Sequence, residues 1–203
     1  MKTPEAALPA SRKQLTHDRI VETAARVLRE TGFSGVGVAD IMKRAGLTHG
    51  GFYAHFASRE ALVAEALQRA GEDSRARLDR SIKAGEAQGA SRLRALVENY
   101  LSERHLKGPE TGCPVAALAS EIPRQAGAVR DEAGARVRSL LATVESVLPP
   151  DAQKEDAAII AAQLVGGLQI ARALGDNAAG RRHLAQSRRF LVDQFDSSRP
   201  SSR

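Results

Sequence analysis

Residues 44–60 read RAGLTHGGFYAHFASRE, and the whole chain is understood by working outward from them. Gly46 follows a run with helical spacing, Thr48 stands where a new helix can be capped, and a Gly50-Gly51 pair precedes Phe52 and Phe56 at i and i+4. Ser58 then opens another helix, with Glu60 in its first turn. A hydroxyl there caps free amides, and a carboxylate meets the positive helix end. Two short helices joined by a turn containing Gly46, the second beginning at Thr48, make a helix-turn-helix.

Upstream, Ile20, Ala24, Val27 and Leu28 recur at i, i+4, i+7 and i+8, the spacing of one buried helical face, with Thr16 as its cap and Gly32 as its end. The segment FSGVGVADIMKRAGL (33–47) gives a second helix with Val38 and Ile41 inward, closed by Gly46 in a left-handed conformation. Downstream the periods lengthen. Helices are expected over 58–86, 91–106, 113–124, 126–148, 152–174 and 178–196, with Pro109, Pro149 and Pro150 in loops. The expected organisation is an arm (1–15), a helix-turn-helix unit (16–60), a larger helical bundle (61–196) and a polar, disordered tail (197–203).

Composition agrees with an all-α fold. The 203 residues are 42% hydrophobic, only 3% aromatic and without tryptophan, so strand formers are scarce. A single cysteine, Cys113, excludes an internal disulfide framework and a cysteine-based zinc cage, and fits a reducing compartment. No signal peptide is legible and no stretch reads as a membrane span, so a cytoplasmic protein with no membrane partner is expected. The net charge of +6 suits a polyanionic partner, and equally an ordinary arginine-rich surface.

A helix-turn-helix places the start of its second helix in a major groove while the first braces against the backbone. Gly50 and Gly51 keep that helix surface low. Thr48 and the amides at the helix start suit a phosphate, Tyr53 and His55 offer O–H and N–H groups to the backbone, and Phe52 and Phe56 anchor the helix to the core. His49 is a candidate base contact or a plain surface residue. Lys43 and Arg44 either meet phosphates or neutralise the negative end of their helix. Arg12 and Lys13 belong to the arm, which either enters a minor groove or is disordered. An enzyme is disfavoured: His17, His49, His55, His105 and His183 are scattered, and neither a zinc-protease nor a P-loop pattern occurs. GVGVAD (35–40) lacks a preceding strand and a third glycine. No cofactor or metal is expected. A nonspecific architectural DNA binder is the other DNA-binding alternative.

The stretch IVETAARVLRETGFSGVGVADIMKRAGLTHGGFYAHFASREAL (20–62) resembles the DNA-binding domain of TetR-type transcriptional regulators. The resemblance implies that Thr48, His49, Gly51, Tyr53 and His55 lie in the recognition helix, with Tyr53 and His55 at the usual phosphate-contacting places. Arg59 stands where a lysine is common, and Gly37 where a capping Thr or Ser is usual. It also implies a large domain that binds a small-molecule effector and forms a homodimer, usually through the last two long helices. The operator would be a double-stranded inverted repeat. Repressor is the expected mode, and an activator of the same family is the alternative.

Two further stretches bear on that picture. In DAQKEDAAIIAAQLVGGLQIARALG (151–175), Ala158, Ala161, Ala162, Gly166 and Ala173 lie among Ile159, Leu164, Val165 and Leu168, a seam for close helix approach. In TGCPVAALASEIP (111–123), Pro114 suits the first position of a helix and puts Cys113 at its cap, where the positive helix end favours a thiolate. This Gly-Cys-Pro resembles a branch of the family that includes repressors responding to electrophiles or oxidants. Cys113 is therefore a candidate sensor, or else an inert cap. Tyr100 and His105 are candidate cavity-lining residues, although core packing accounts for Tyr100 equally well.

Overall fold

A computed structural model describes residues 11–196. The expected tail (197–203) and residues 1–10 of the expected arm lie outside the described residues. All regular elements among the described residues are helical: α1 (Arg12–Thr31), α2 (Val38–Arg44), α3 (Arg59–Ala87), α4 (Arg92–Tyr100), α5 (Glu103–Lys107), α6 (Pro114–Leu118), α7 (Gly127–Glu145), α8 (Asp156–Leu174) and α9 (Ala178–Phe195). Short 3-10 turns at His49–Ala54, Pro109–Thr111 and Ile122–Arg124 complete them.

α1 begins earlier than its apolar period suggests. Ser11, not Thr16, is the cap and accepts from the Gln14 amide at 3.2 Å, while the Thr16 hydroxyl bonds back to the Arg12 carbonyl at 2.9 Å. Arg12 and Lys13 are therefore helical rather than part of an arm. The expected helix at 91–106 is broken, because Ser102 takes the His105 amide at 3.2 Å and starts α5 afresh. The expected helix at 113–124 shrinks to five residues. Past Leu118 the chain passes through a turn into the separate 3-10 turn Ile122–Arg124, where Pro123 has no N–H to offer an α-helical bond.

Two cores share three helices, α3, α6 and α7. Ile20, Leu28, Ile41, Phe52 and Leu62 fill the N-terminal core, to which Leu118, Val129 and Ala133 of the large bundle also contribute. Leu93, Leu101, Ile160, Leu164 and Leu168 fill the second. α3 runs through both, placing Leu62, Val63 and Leu67 in the first and Leu78 and Ile82 in the second. Burial of each such side chain contributes roughly 1.5–3 kcal/mol, so the two units are continuous rather than beads on a linker.

One expectation is corrected outright. α8 is long and apolar enough to cross a membrane, with a mean hydropathy of 1.5, although only part of it is buried. Its Ala161, Leu164 and Leu168 point into the chain's own core. Ile159 and Ile170 point outward, 56% and 51% exposed, and Phe190 of α9 is 51% exposed. Of the residues expected to form a seam, Ala161, Leu164 and Leu168 are thus internal, and Ile170 and Phe190 were not foreseen.

Candidate functional site

The helix-turn-helix is built as its residues require. Gly46 adopts φ +71°, the left-handed turn conformation, and the Leu47 amide reaches back to the Met42 carbonyl at 2.8 Å. Thr48 occupies the next cap position with extended backbone, but its side chain makes no cap hydrogen bond. The recognition segment that follows, His49–Ala54, is a 3-10 helix rather than an α-helix. It is anchored by Phe52 and Phe56, both buried, their rings stacked at 5.5 Å. Tyr53 leans edge-on against Phe52 and is otherwise free, 72% exposed.

Two glycines in this segment meet almost nothing. A side-chain carbon built on Gly50 would have no neighbour within 4 Å, and one on Gly51 only the Met42 methyl at 3.7 Å. Nothing inside the protein requires glycine at either place.

The candidate contact residues divide into two groups. Thr48, His49, Tyr53 and Lys43 are exposed, and Lys43 makes no ion pair among the described residues. Gly51 lies beneath them. His55 is half-buried, with Nδ1 unpartnered. Desolvation, then His17, lowers its pKa, so its ring is neutral at neutral pH. His17 stacks on Phe56 at 4.5 Å and meets Glu65 at 2.7 Å, joining α1 to α3 under the recognition segment. The second group is already engaged. Arg44 pairs with Asp40 at 2.8 Å and Glu30 at 3.5 Å. Arg59 donates from Nε to the Val36 carbonyl at 2.8 Å and from Nη2 to the Phe33 carbonyl, so it holds the loop before α2.

Cys113, Tyr100 and His105 are brought together at a cleft of about 350 Å³ in the large bundle, whose wall also includes Arg77, Arg80 and Arg104. Cys113 is buried at the cap of α6, as expected, though its side chain makes no cap bond. Each residue of Gly-Cys-Pro has a local reason. A side chain on Gly112 would strike His105 Nε2 at 2.6 Å, and Pro114 opens the helix. His105 is fully used: its Nδ1–H faces the Tyr100 carbonyl at 2.7 Å, and its Nε2 accepts the Cys113 amide at 2.9 Å. Desolvation and then Arg172 push its pKa down from 6.5 to about 4. It positions the Cys113 backbone and is not a base for the thiol. The Tyr100 hydroxyl is buried beside the Cys113 thiol, and burial, then Cys113, raise its pKa well above 10.

Two residues that sequence reasoning missed link this cleft to the helix-turn-helix. Arg29, on α1, is buried and donates from Nη1 to the carbonyls of Ala70, at 3.4 Å, and Gly112, at 3.3 Å. Burial, then Arg77, lower its pKa from 12.5 to about 10, so it remains charged. Glu121, just past α6, accepts the Phe33 amide at 3.1 Å. The segment 112–121 is thus tied to the α1 end at both its ends. An arginine at an otherwise apolar helical position was the one available signal, and Glu121 gave none.

Comparison with known proteins agrees with this architecture. Residues 20–66 match the family profile described as bacterial regulatory proteins of the tetR family, and residues 89–187 match the tetracyclin repressor-like C-terminal domain. The HTH-type transcriptional repressor NemR of Escherichia coli K12 is 25% identical over 133 residues, covering 66% of this chain and 67% of NemR. An uncharacterised HTH-type transcriptional regulator of Mycobacterium tuberculosis is 29% identical over 175 residues, covering 78% and 85%. Among solved structures, the reduced form of E. coli NemR superposes with a TM-score of 0.71 at 19% identity, over 89% of this chain and 97% of that one. A Cytophaga hutchinsonii regulator does so with 0.76 at 20% identity, over 94% and 100%.

Proposed function

Because the chain belongs to the TetR family of DNA-binding transcriptional regulators, we propose that it is a homodimeric repressor that leaves an inverted-repeat operator when its cleft or Cys113 is engaged. The recognition segment carries the DNA part of this reading: Tyr53 stands clear of the core beside two glycines that nothing in the protein requires. Lys43, Thr48, His49, Tyr53 and His55 are the proposed contacts. Arg44 and Arg59 position the motif. Two recognition segments would meet successive major grooves about 34–36 Å apart. Its place is then the cytoplasm, with the DNA.

Release follows from the segment 112–121, tied at both ends to the end of α1. Alkylation or oxidation of Cys113, or a ligand in the cleft, adds bulk beside Gly112, and Arg29 and Glu121 carry the displacement to the end of α1. The effector shifts the balance only by its differential affinity for the DNA-competent and released geometries. NemR of E. coli was solved in a reduced form, which supports a redox-responsive reading of Cys113 here.

Selection of duplexes from a random library tests the DNA reading, with Tyr53→Phe run alongside. An inverted repeat should emerge, and the variant should lose affinity evenly across sequences, as a phosphate contact does. Equal retention of all duplexes would sink sequence specificity and leave an architectural binder. Cys113→Ser tests the sensor: a variant still released by electrophiles as the wild type is would remove the thiol from the mechanism.

A further inference from the structure

We propose that the cleft beside Cys113 takes a small organic anion, its charged head held by Arg77, Arg80 and Arg104 and its body laid over Tyr100 toward the thiol. This rests on reading the cleft as the effector site and adds the chemical class of what enters it. Three guanidinium groups line the cavity and no carboxylate does. Arg80 and Arg104 are exposed and make no ion pair among the described residues, while Arg77 donates only to the Thr111 carbonyl. Beneath them, Arg29 and Arg172 add positive charge around the thiol.

Three acidic groups come near this cluster, and Glu98 shares the wall of an adjoining groove with Arg104. Asp73 acts on Arg29 and Arg77 but already pairs with Arg69 at 3.2 Å, and Glu110 acts on Arg29 and Arg172. The balance stays positive. Arg172 donates to the His105 carbonyl at 2.7 Å and does not line the cavity, so the outer three arginines are the ones that face a ligand. A buried phenol in the wall adds to the case, because the Tyr100 hydroxyl has beside it only the weakly accepting Cys113 sulfur, and an anion is a far stronger acceptor. The volume, about 350 Å³, suits a molecule of modest size.

The chain's single cysteine makes the test direct. The full-length protein is treated with three methanethiosulfonates of similar size, one bearing a sulfonate, one neutral and one bearing a quaternary ammonium. In each case the thiolate attacks the sulfenyl sulfur, a disulfide forms, the bond to the sulfonyl group breaks and methanesulfinate leaves with the electron pair, the thiol proton going to buffer. Rates are read by intact mass and normalised to the same chain unfolded in guanidinium. The anionic reagent should outpace the cationic one by about tenfold or more at low salt, as a focused positive cleft implies, and the gap should narrow at about 0.5 M salt.

The double variant Arg80→Gln/Arg104→Gln changes only exposed side chains. It should abolish the preference while leaving the neutral reagent's rate unaltered. Equal normalised rates, a cationic preference, no modification by any reagent, or a preference that survives in the double variant would each overturn the proposal. Operator binding by the modified protein is measured separately by fluorescence anisotropy. An anionic preference in a protein that keeps its operator retires the sensor role of Cys113 and leaves the anion site standing.

Discussion

Gly32 and Gly51 look alike in the sequence and answer to opposite constraints. Gly32 has φ +75°, and a side chain there would come within 2.4 Å of the Glu121 carboxylate, so Gly32→Ala should lower stability by at least about 1–2 kcal/mol in a denaturation series. Gly51 has ordinary backbone and open space. Gly51→Ala should therefore hold or slightly raise the melting temperature, since alanine restricts the unfolded chain, yet weaken operator binding several-fold in an anisotropy titration. Loss of stability instead would place the requirement inside the protein. His105 gives a pH dependence at the same scale. Its folded pKa, about 4, lies below its ordinary 6.5, so between those values the unfolded chain binds the extra proton. Stability is full above about pH 6.5 and falls as the pH drops toward 4, by up to about 3 kcal/mol. His105→Gln should begin less stable and lack that part of the slope. Residue roles were legible where they follow local pattern: Gly46 as the left-handed turn, Phe52 and Phe56 as anchors, Cys113 as a cap. Arg59 was not, because the carbonyls it holds at Phe33 and Val36 are brought to it by the path of the loop.

At the scale of elements, the sequence overestimated continuity in the large bundle and underestimated it at the start of α1. Apolar spacing carries straight through Ser102, and only its hydroxyl's capture of a nearby amide breaks the helix there. The long helices α3, α7, α8 and α9 were readable because many periods accumulate in each, and α3 and α9 also open on capping side chains, Ser58 and Asn177. What no periodicity reports is how elements are tied across the fold. The strap from Gly112 to Glu121 is held by one buried guanidinium and one carboxylate, both bonded to backbone groups of distant segments. Arg29→Met keeps the apolar stem and removes the donor to Gly112. It should cost about 1–3 kcal/mol, the range for a lost charged hydrogen bond, and should keep operator affinity while blunting release on Cys113 modification. Wild-type release in a folded Arg29→Met protein would mean that the signal travels through α3 instead.

For the whole molecule, the deciding feature is an all-round apolar helix that the protomer covers on one side only. Such a helix is normally buried on every face. In α8, Ile159, Ala162, Gly166 and Ile170 run along the uncovered side, and Phe190 of α9 stands near-equally bare. A membrane would cover such a face, but so would the same face of a second copy, and Gly166 separates the two. Glycine inside a helix costs roughly 0.5–1 kcal/mol relative to alanine, and a side-chain carbon on Gly166 would meet nothing within the protomer. Lipid has no need of that gap, whereas a second helix crossing closely at this point does. Gly166→Leu should therefore leave the helical content of the protomer intact and shift light scattering at micromolar concentration from dimer toward monomer. Operator affinity should fall with it, because one protomer reaches a single half-site. Gly166→Ala, a smaller step, should raise the intrinsic stability of α8 while weakening association less. If both variants remain dimers with unchanged operator binding, the close approach lies elsewhere, and the exposed Ile170 and Phe190 become the next positions to charge.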